Sequence, residues 1–173
     1  MLIEITQYSD LDEEKLMAVY AESNYENTDY FFPLEQDKTR AVKQVETGFL
    51  TFLKQEFFKL DQATVWVMEE YGDWISAMRT CRIEDDVYFL EALETHPEYR
   101  RQGYAAKLLS GVTDTLKQIG SFRLCACVSK KNIASLKTHR KCGFQIVSDV
   151  GFDYLLQEGD DRDYGLAFIY REN

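Results

Sequence analysis

The sequence predicts an α/β (α+β) domain built on a mixed, mostly antiparallel central sheet flanked by helices, and three observations lead there. Three β-rich runs follow one another across two tight turns, Tyr71-Gly72-Asp73 and Glu84-Asp85-Asp86, the pattern of an antiparallel meander. From residue 87 onward the pattern becomes strand, helix, strand, helix, strand, in which helices cover the faces of a sheet. The chain of 173 residues is 45% hydrophobic and 14% aromatic and has no repeat, low-complexity stretch or linker. One domain over residues 1–173 with a substantial core is therefore expected.

The elements follow in order. Residues 2–8 alternate and read as a first strand. Asp10-Leu11-Asp12-Glu13 has the spacing of a capping-box variant and opens a helix through about Ala21. Ser23 to Pro33 is polar and aromatic and reads as a loop, with Tyr25, Tyr30, Phe31 and Phe32 as rings for binding or packing. Val42, Val45, Phe49, Phe52, Leu53 and Phe57 line the apolar side of a long helix. Strands are expected over 63–69, 74–82 and 87–93. Ala105, Leu108, Leu109, Val112, Leu116 and Ile119 then form one face of a helix that stops at Gly120. A strand near 122–128 follows. Asn132 caps a short helix ending at Gly143, and strands near 144–150 and 164–171 complete the pattern.

Charge narrows the function. The chain carries 20 Lys+Arg against 30 Asp+Glu, a formal net charge of -10. Residues 100–141 reverse that sign, with Asp114 as their only carboxylate. A local basic block in an acidic protein suits a compact polyanionic ligand. A nucleic-acid partner is not expected, because the acidic remainder would repel a long polyanion. No apolar run approaches the roughly 18–20 residues of a membrane span, and Met1-Leu2-Ile3-Glu4-Ile5-Thr6 lacks the basic and apolar regions of an export signal. A cytoplasmic location without membrane attachment is the expectation. Cys81, Cys125, Cys127 and Cys142 form no C-x-x-C pair, and His96 and His139 are the only histidines. Reduced structural thiols and no metal site follow.

The candidate binding element is Arg100-Arg101-Gln102-Gly103-Tyr104-Ala105, an R-x-x-G-x-A turn between a strand and an amphipathic helix. A glycine-containing turn entering a helix presents unpaired backbone N–H groups beside a positive dipole end, an anion site suited to phosphate. Downstream, Asn132, Ser135, His139 and Gly143-Phe144 form a second motif. Together with His96-Pro97-Glu98-Tyr99-Arg100, these residues resemble the GNAT superfamily of N-acetyltransferases. That family carries Q or R, x-x-G-x, then G or A, followed by N-x-x-A-x-x-x-Y-x-x-x-G-F. The likeness covers roughly residues 87–144.

The resemblance implies an enzyme that moves an acetyl group from acetyl-CoA, or another acyl group from its CoA ester, to a primary amine. The cofactor would lie at a splayed strand pair, with its pyrophosphate on backbone N–H groups from Gln102 through Gly103, Tyr104 and Ala105 to Ala106. Arg100 and Arg101 would flank it, its pantetheine arm would pair with the strand from Leu93 to Thr95, and Asn132 would assist. A base must accept the ammonium proton; Glu91 is favoured, with Glu94 next. Period-2 alternation puts these two on opposite strand faces unless a bulge intervenes. His139 stands where the family usually has tyrosine, the main departure from its pattern. It shares a helix face with Ile133 and Leu136, so an inward imidazole serving the departing thiolate is expected beside a plain core role. Acceptor-flanking segments would be Tyr25 to Phe32 and the acidic stretch Asp149, Asp153, Glu158, Asp160, Asp161 and Asp163, which suits a cationic amine of a small molecule or a protein. A homodimer is an open option. The alternative is an acyl-CoA sensor or interaction module that kept the fold without turnover.

Overall fold

Val65 and Val67 turn to one face of the central sheet and Trp66 to the other, the alternation that gives a strand two apolar surfaces to cover. In the computed structural model, which describes residues 1–172, two layers of helix cover them. The strands are β1 (Leu2–Ile5), β2 (Thr64–Glu70), β3 (Asp73–Glu84), β4 (Val87–Thr95), β5 (Phe122–Ser129), β6 (Gln145–Ser148), β7 (Gly151–Asp153), β8 (Glu158–Asp160) and β9 (Asp163–Tyr170). The helices are α1 (Glu13–Val19), α2 (Ala21–Phe31), α3 (Lys38–Gln55), α4 (Tyr104–Lys117) and α5 (Ile133–Lys141). Seven strands form one sheet in the order β1-β2-β3-β4-β5-β9-β6. Leu16, Val19 and Leu53 from α1 and α3 fill one side with Val65, Val67 and Phe89. Leu108, Leu109, Val112 and Leu116 from α4 fill the other with Trp66, Leu90 and Leu124. No helix among the described residues is long and apolar enough to cross a membrane.

The meander β2-β3-β4 is antiparallel as expected, and β4 beside β5 is the one parallel pair among the described residues. That pairing covers only Val87 to Leu90 against Arg123 to Ala126. Beyond it, β4 runs on to Thr95 and β5 to Ser129 with no ladder between them. The sheet is thus split at one end while remaining continuous at the other.

Four local expectations are corrected. Residues 23–31 are helical, not a loop. The α2 face turned inward carries Tyr20, Asn24 and Thr28, buried at helical spacing; two of the three are polar, so counting apolar side chains misses the period. Asp12, not Asp10, caps α1, its carboxylate accepting from Lys15 N at 3.0 Å. The first strand stops at Ile5 and a 3-10 turn occupies Tyr8–Asp10. Phe57 lies past the end of α3, in a 3-10 turn, yet is fully buried. The acidic stretch adds a small hairpin, β7 with β8.

Gly143 ends α5 in the left-handed region at φ +91°, and a Cβ there would stand 3.0 Å from the Phe168 ring. Gly143→Ala should therefore cost about 1–2 kcal/mol from the backbone alone. Urea unfolding should show a lower midpoint at unchanged slope.

Candidate active site

The open end of the β4–β5 split is where α4 begins. The turn from β4 into α4 passes through Arg101 at φ +61° and Gly103 at φ +84°, both left-handed, and this aims the start of α4 back at the split. Asp12, Asp37 and Asn132 cap α1, α3 and α5 with their side chains, whereas α4 has no side-chain cap. Its first intrahelical bond runs from Lys107 N to Gly103 O at 3.0 Å. The N–H groups of Gly103, Tyr104, Ala105 and Ala106 therefore donate to no acceptor among the described residues. A Cβ on Gly103 would meet nothing within 4 Å, so the space above the turn is open. Four unpaired donors converging at a positive helix end fit a pyrophosphate.

A cleft of about 750 Å³ runs from this turn toward α5. Leu93, Thr95, Arg100, Arg101, Gly103 and Tyr104 line it, joined by Ala105, Ala106 and Asn132. The structure thus brings together nearly all the residues expected for the cofactor; Gln102 is exposed on the turn. Two have other engagements. Asn132 accepts from Ser135 N at 3.0 Å, so it is also the helix cap. The Arg100 guanidinium is turned to Glu22, to Glu94 at 3.4 Å and to the Thr95 carbonyl at 3.3 Å. It braces the turn against α2 and β4.

A second cavity, of about 600 Å³, lies on the other side of β4 between α2, α3 and β3. Phe31, Phe32, Phe49 and Phe52 give it an aromatic wall, and Asn24, Gln44 and Arg79 supply polar groups. Of the expected acceptor-flanking segments, the 25–32 stretch contributes; the acidic residues 149–163 line no part of this cavity. They belong to the β7–β8 hairpin and its flanks, where Asp160 is paired with Arg162. Ser23 and Glu94 line both spaces.

The two candidate bases share one face because β4 is bulged. Ala77 faces Glu94 and Arg79 faces Glu91, so two steps along β3 match three along β4. The extra residue is Ala92, at φ +52°, and its carbonyl accepts from Tyr20 Oη at 2.6 Å. Glu91 meets Arg79 Nη2 at 3.3 Å; burial raises its pKa against the opposing pull of that guanidinium. Glu94 accepts from Ser23 Oγ at 2.7 Å, and its pKa is raised mainly by burial, which outweighs the Ser23 hydrogen bond and Arg100.

His139 is brought inward but not to the cleft. It is 2% exposed, its Nδ1 stands 2.9 Å from the Ser135 carbonyl, and its ring meets Phe144 edge-on at 5.1 Å. Ser135 and Thr138 line the cleft from α5 instead. Ile133, expected on the same inward face as Leu136 and His139, is 55% exposed at the first position of α5. Sequence reasoning missed Arg79 and Tyr20. A lone arginine inside the apolar run 74–81 was the available signal for the first; Tyr20, one tyrosine among 11, gave none.

Comparisons with known proteins bear on the fold and the family. The chain resembles, in structure, the PaiA N-acetyltransferase from Thermoplasma acidophilum in complex with coenzyme A, at TM-score 0.65 and 17% identity over 98% of this chain and 99% of that one. The ribosomal-protein-S18-alanine N-acetyltransferase from Escherichia coli aligns at TM-score 0.62 and 19% identity, over 100% and 96% of the two chains. YncA, a putative acetyltransferase from Salmonella typhimurium with acetyl-CoA as its cofactor, aligns at 0.57 and 17%, over 100% and 96%. A search of curated proteins found no match. The family model of the Acetyltransferase (GNAT) family matches residues 12–144, from α1 through the close of α5, and the chain belongs to that family.

Proposed function

We propose that the protein acetylates the primary amine of a small molecule, with acetyl-CoA as donor. The observation that carries the reading is the placement of Glu94, a carboxylate on the wall between the cleft below the uncapped α4 and the aromatic cavity behind β4. The cofactor's pyrophosphate would be held by the free N–H groups at the start of α4, and its thioester would lie in the β4–β5 split. A cavity of about 600 Å³ has the size of small-ligand sites, which favours a small acceptor over a protein chain. An acyl-CoA sensor without turnover would have no use for a second cavity meeting the first at a carboxylate.

The chemistry follows from groups in place. An alkylammonium ion has a reference pKa near 10.4 and must lose a proton before it can attack. Glu94 takes that proton; its raised pKa makes it a better acceptor than an ordinary surface carboxylate. The nitrogen lone pair then forms the C–N bond at the thioester carbonyl, and an N–H of the unpaired stretch of β4 near Leu93 faces the developing oxyanion. As the C–S bond breaks, the electron pair leaves on the CoA sulfur and the nitrogen's second proton passes to solvent. A thiol of pKa near 8.5 departs without a dedicated acid, so His139 is not required. Glu91, the base favoured from sequence, is assigned the role of holding Arg79, to which it is bonded.

Three outcomes test this. Gly103→Glu should abolish acetyl-CoA binding by calorimetry while circular dichroism stays native, because it adds like charge where the phosphates would sit. Glu94→Gln should lower turnover about 10²-fold, the scale of a general base, with acetyl-CoA affinity retained. In the parent protein the rate should fall with acidity through a pKa above the usual carboxylate value, and Glu94→Gln should remove that limb. His139→Phe should leave the rate per folded molecule unchanged. Burial lowers the pKa of His139 below 6.5, so the unfolded chain binds the extra proton first and stability falls as pH drops below 6.5 through the folded value. His139→Phe should flatten that part of the stability profile in denaturant titrations at pH 7 and pH 5.

A further inference from the structure

Arg79 is out of place by every rule of burial. It is 9% exposed on a central strand, and its guanidinium is packed among the rings of Phe49, Phe52 and Phe57 at 5.1 to 5.5 Å. Buried charge is retained where it is paired and fully hydrogen-bonded. Arg79 is paired but not fully hydrogen-bonded: one nitrogen meets Glu91 at a long 3.3 Å, while Nε and Nη1 have no acceptor among the described residues. The same cavity is lined from α3 by Gln44, whose buried Oε1 has no donor among the described residues. Unsatisfied polar atoms of both kinds against one cavity call for a ligand with both kinds of group.

We infer that the acceptor is an amino acid with a bulky apolar side chain. Its carboxylate is bound by Arg79, its side chain by the aromatic wall, and its ammonium faces Glu94. This rests on the acetyl-transfer reading of the same site and adds the substrate class. The unfilled donors favour a zwitterion over a simple amine: its carboxylate meets the Arg79 nitrogens that Glu91 leaves without an acceptor, and its ammonium meets Glu94. The planar guanidinium suits a carboxylate in particular, since both present paired atoms at matching spacing. The Phe31, Phe32, Phe49 and Phe52 rings give the cavity an apolar wall, which fits a hydrocarbon or aromatic side chain.

The test is calorimetric titration of the CoA-loaded protein with L-phenylalanine, L-phenylalaninamide and phenethylamine. These keep the amine and the ring and vary only the group offered to Arg79. L-Phenylalanine should bind at least about tenfold more tightly than either of the others, the scale of a hydrogen bond to a charged group. In Arg79→Lys and Arg79→Gln that advantage should collapse, with phenethylamine affinity held. Equal or tighter binding of phenethylamine, equal binding of the amide, or failure of all three to bind would overturn the inference on the parent protein alone, whatever the variants do. Persistence of the advantage in a variant with native circular dichroism would overturn it as well. Release of CoA thiol with acetyl-CoA separates this from the broader reading. Turnover of amines with no carboxylate preference sinks the amino-acid acceptor and leaves the acetyltransferase; tight binding of L-phenylalanine with no thiol release from any amine does the reverse.

Discussion

One residue inserted into one strand sets the geometry of this site. Were β4 regular at Ala92, Glu91 and Glu94, three residues apart, would face opposite sides of the sheet, and Glu94 would turn away from the aromatic cavity. The bulge costs something, since a left-handed alanine is disfavoured by roughly 1–2 kcal/mol. The Tyr20 hydroxyl meets the displaced carbonyl at 2.6 Å and offsets part of that cost. Tyr20 itself is 4% exposed, packed edge-on against Phe49. The bulge therefore ties together β4, the junction of α1 and α2, and α3, which are the walls of the acceptor side.

The two faces of the sheet do different work because they are covered differently. On the α4 side the core is almost wholly aliphatic and aromatic, and α4 is fixed by Leu108, Leu109 and Val112, each fully buried. That rigidity lets an uncapped helix start hold its position at the end of the split. On the α2–α3 side the cover is incomplete. The inward face of α2 is polar at Asn24 and Thr28, so the helix stands off the sheet and leaves a cavity instead of closing a core. The buried Arg79–Glu91 pair lies on that side and adds no clear stability, since desolvating two charges opposes their attraction. Its value is in where it puts a cation.

Much of this was legible in the chain. The unbroken buried runs of β2 and β3 between tight turns and the apolar stripe of α4 are strong signals, because burial on both faces of a strand leaves a run and burial on one face of a helix leaves a fixed period. The R-x-x-G-x-A turn was legible because a left-handed position, here φ +84° at Gly103, favours glycine. What did not show had physical reasons. Helix α2 buries polar groups, so its period is invisible to hydropathy. The parity of Glu91 and Glu94 turned on a bulge at an alanine, a residue type that gives no hint of a left-handed backbone. The inward turn of His139 was read correctly from helix register, but register gives direction and not depth, and the side chain ends against Phe144 beneath the cleft wall. The pairing of Arg79 across the sheet depends on strand register, a nonlocal quantity that no single strand encodes.

The bare start of α4 has a thermodynamic consequence. Helices α1, α3 and α5 bring their own side-chain caps, which fill part of the first turn whether or not anything is bound. In α4 the missing acceptors come from outside the chain, which makes the cofactor part of the hydrogen bonding of the fold. Mass action then couples folding to metabolism: the native state gains RT ln(1 + [L]/Kd), about 2.7 kcal/mol when the ligand stands at a hundred times its dissociation constant. The stability of the folded protein, and not only its rate, then rises with the acyl-CoA that surrounds it.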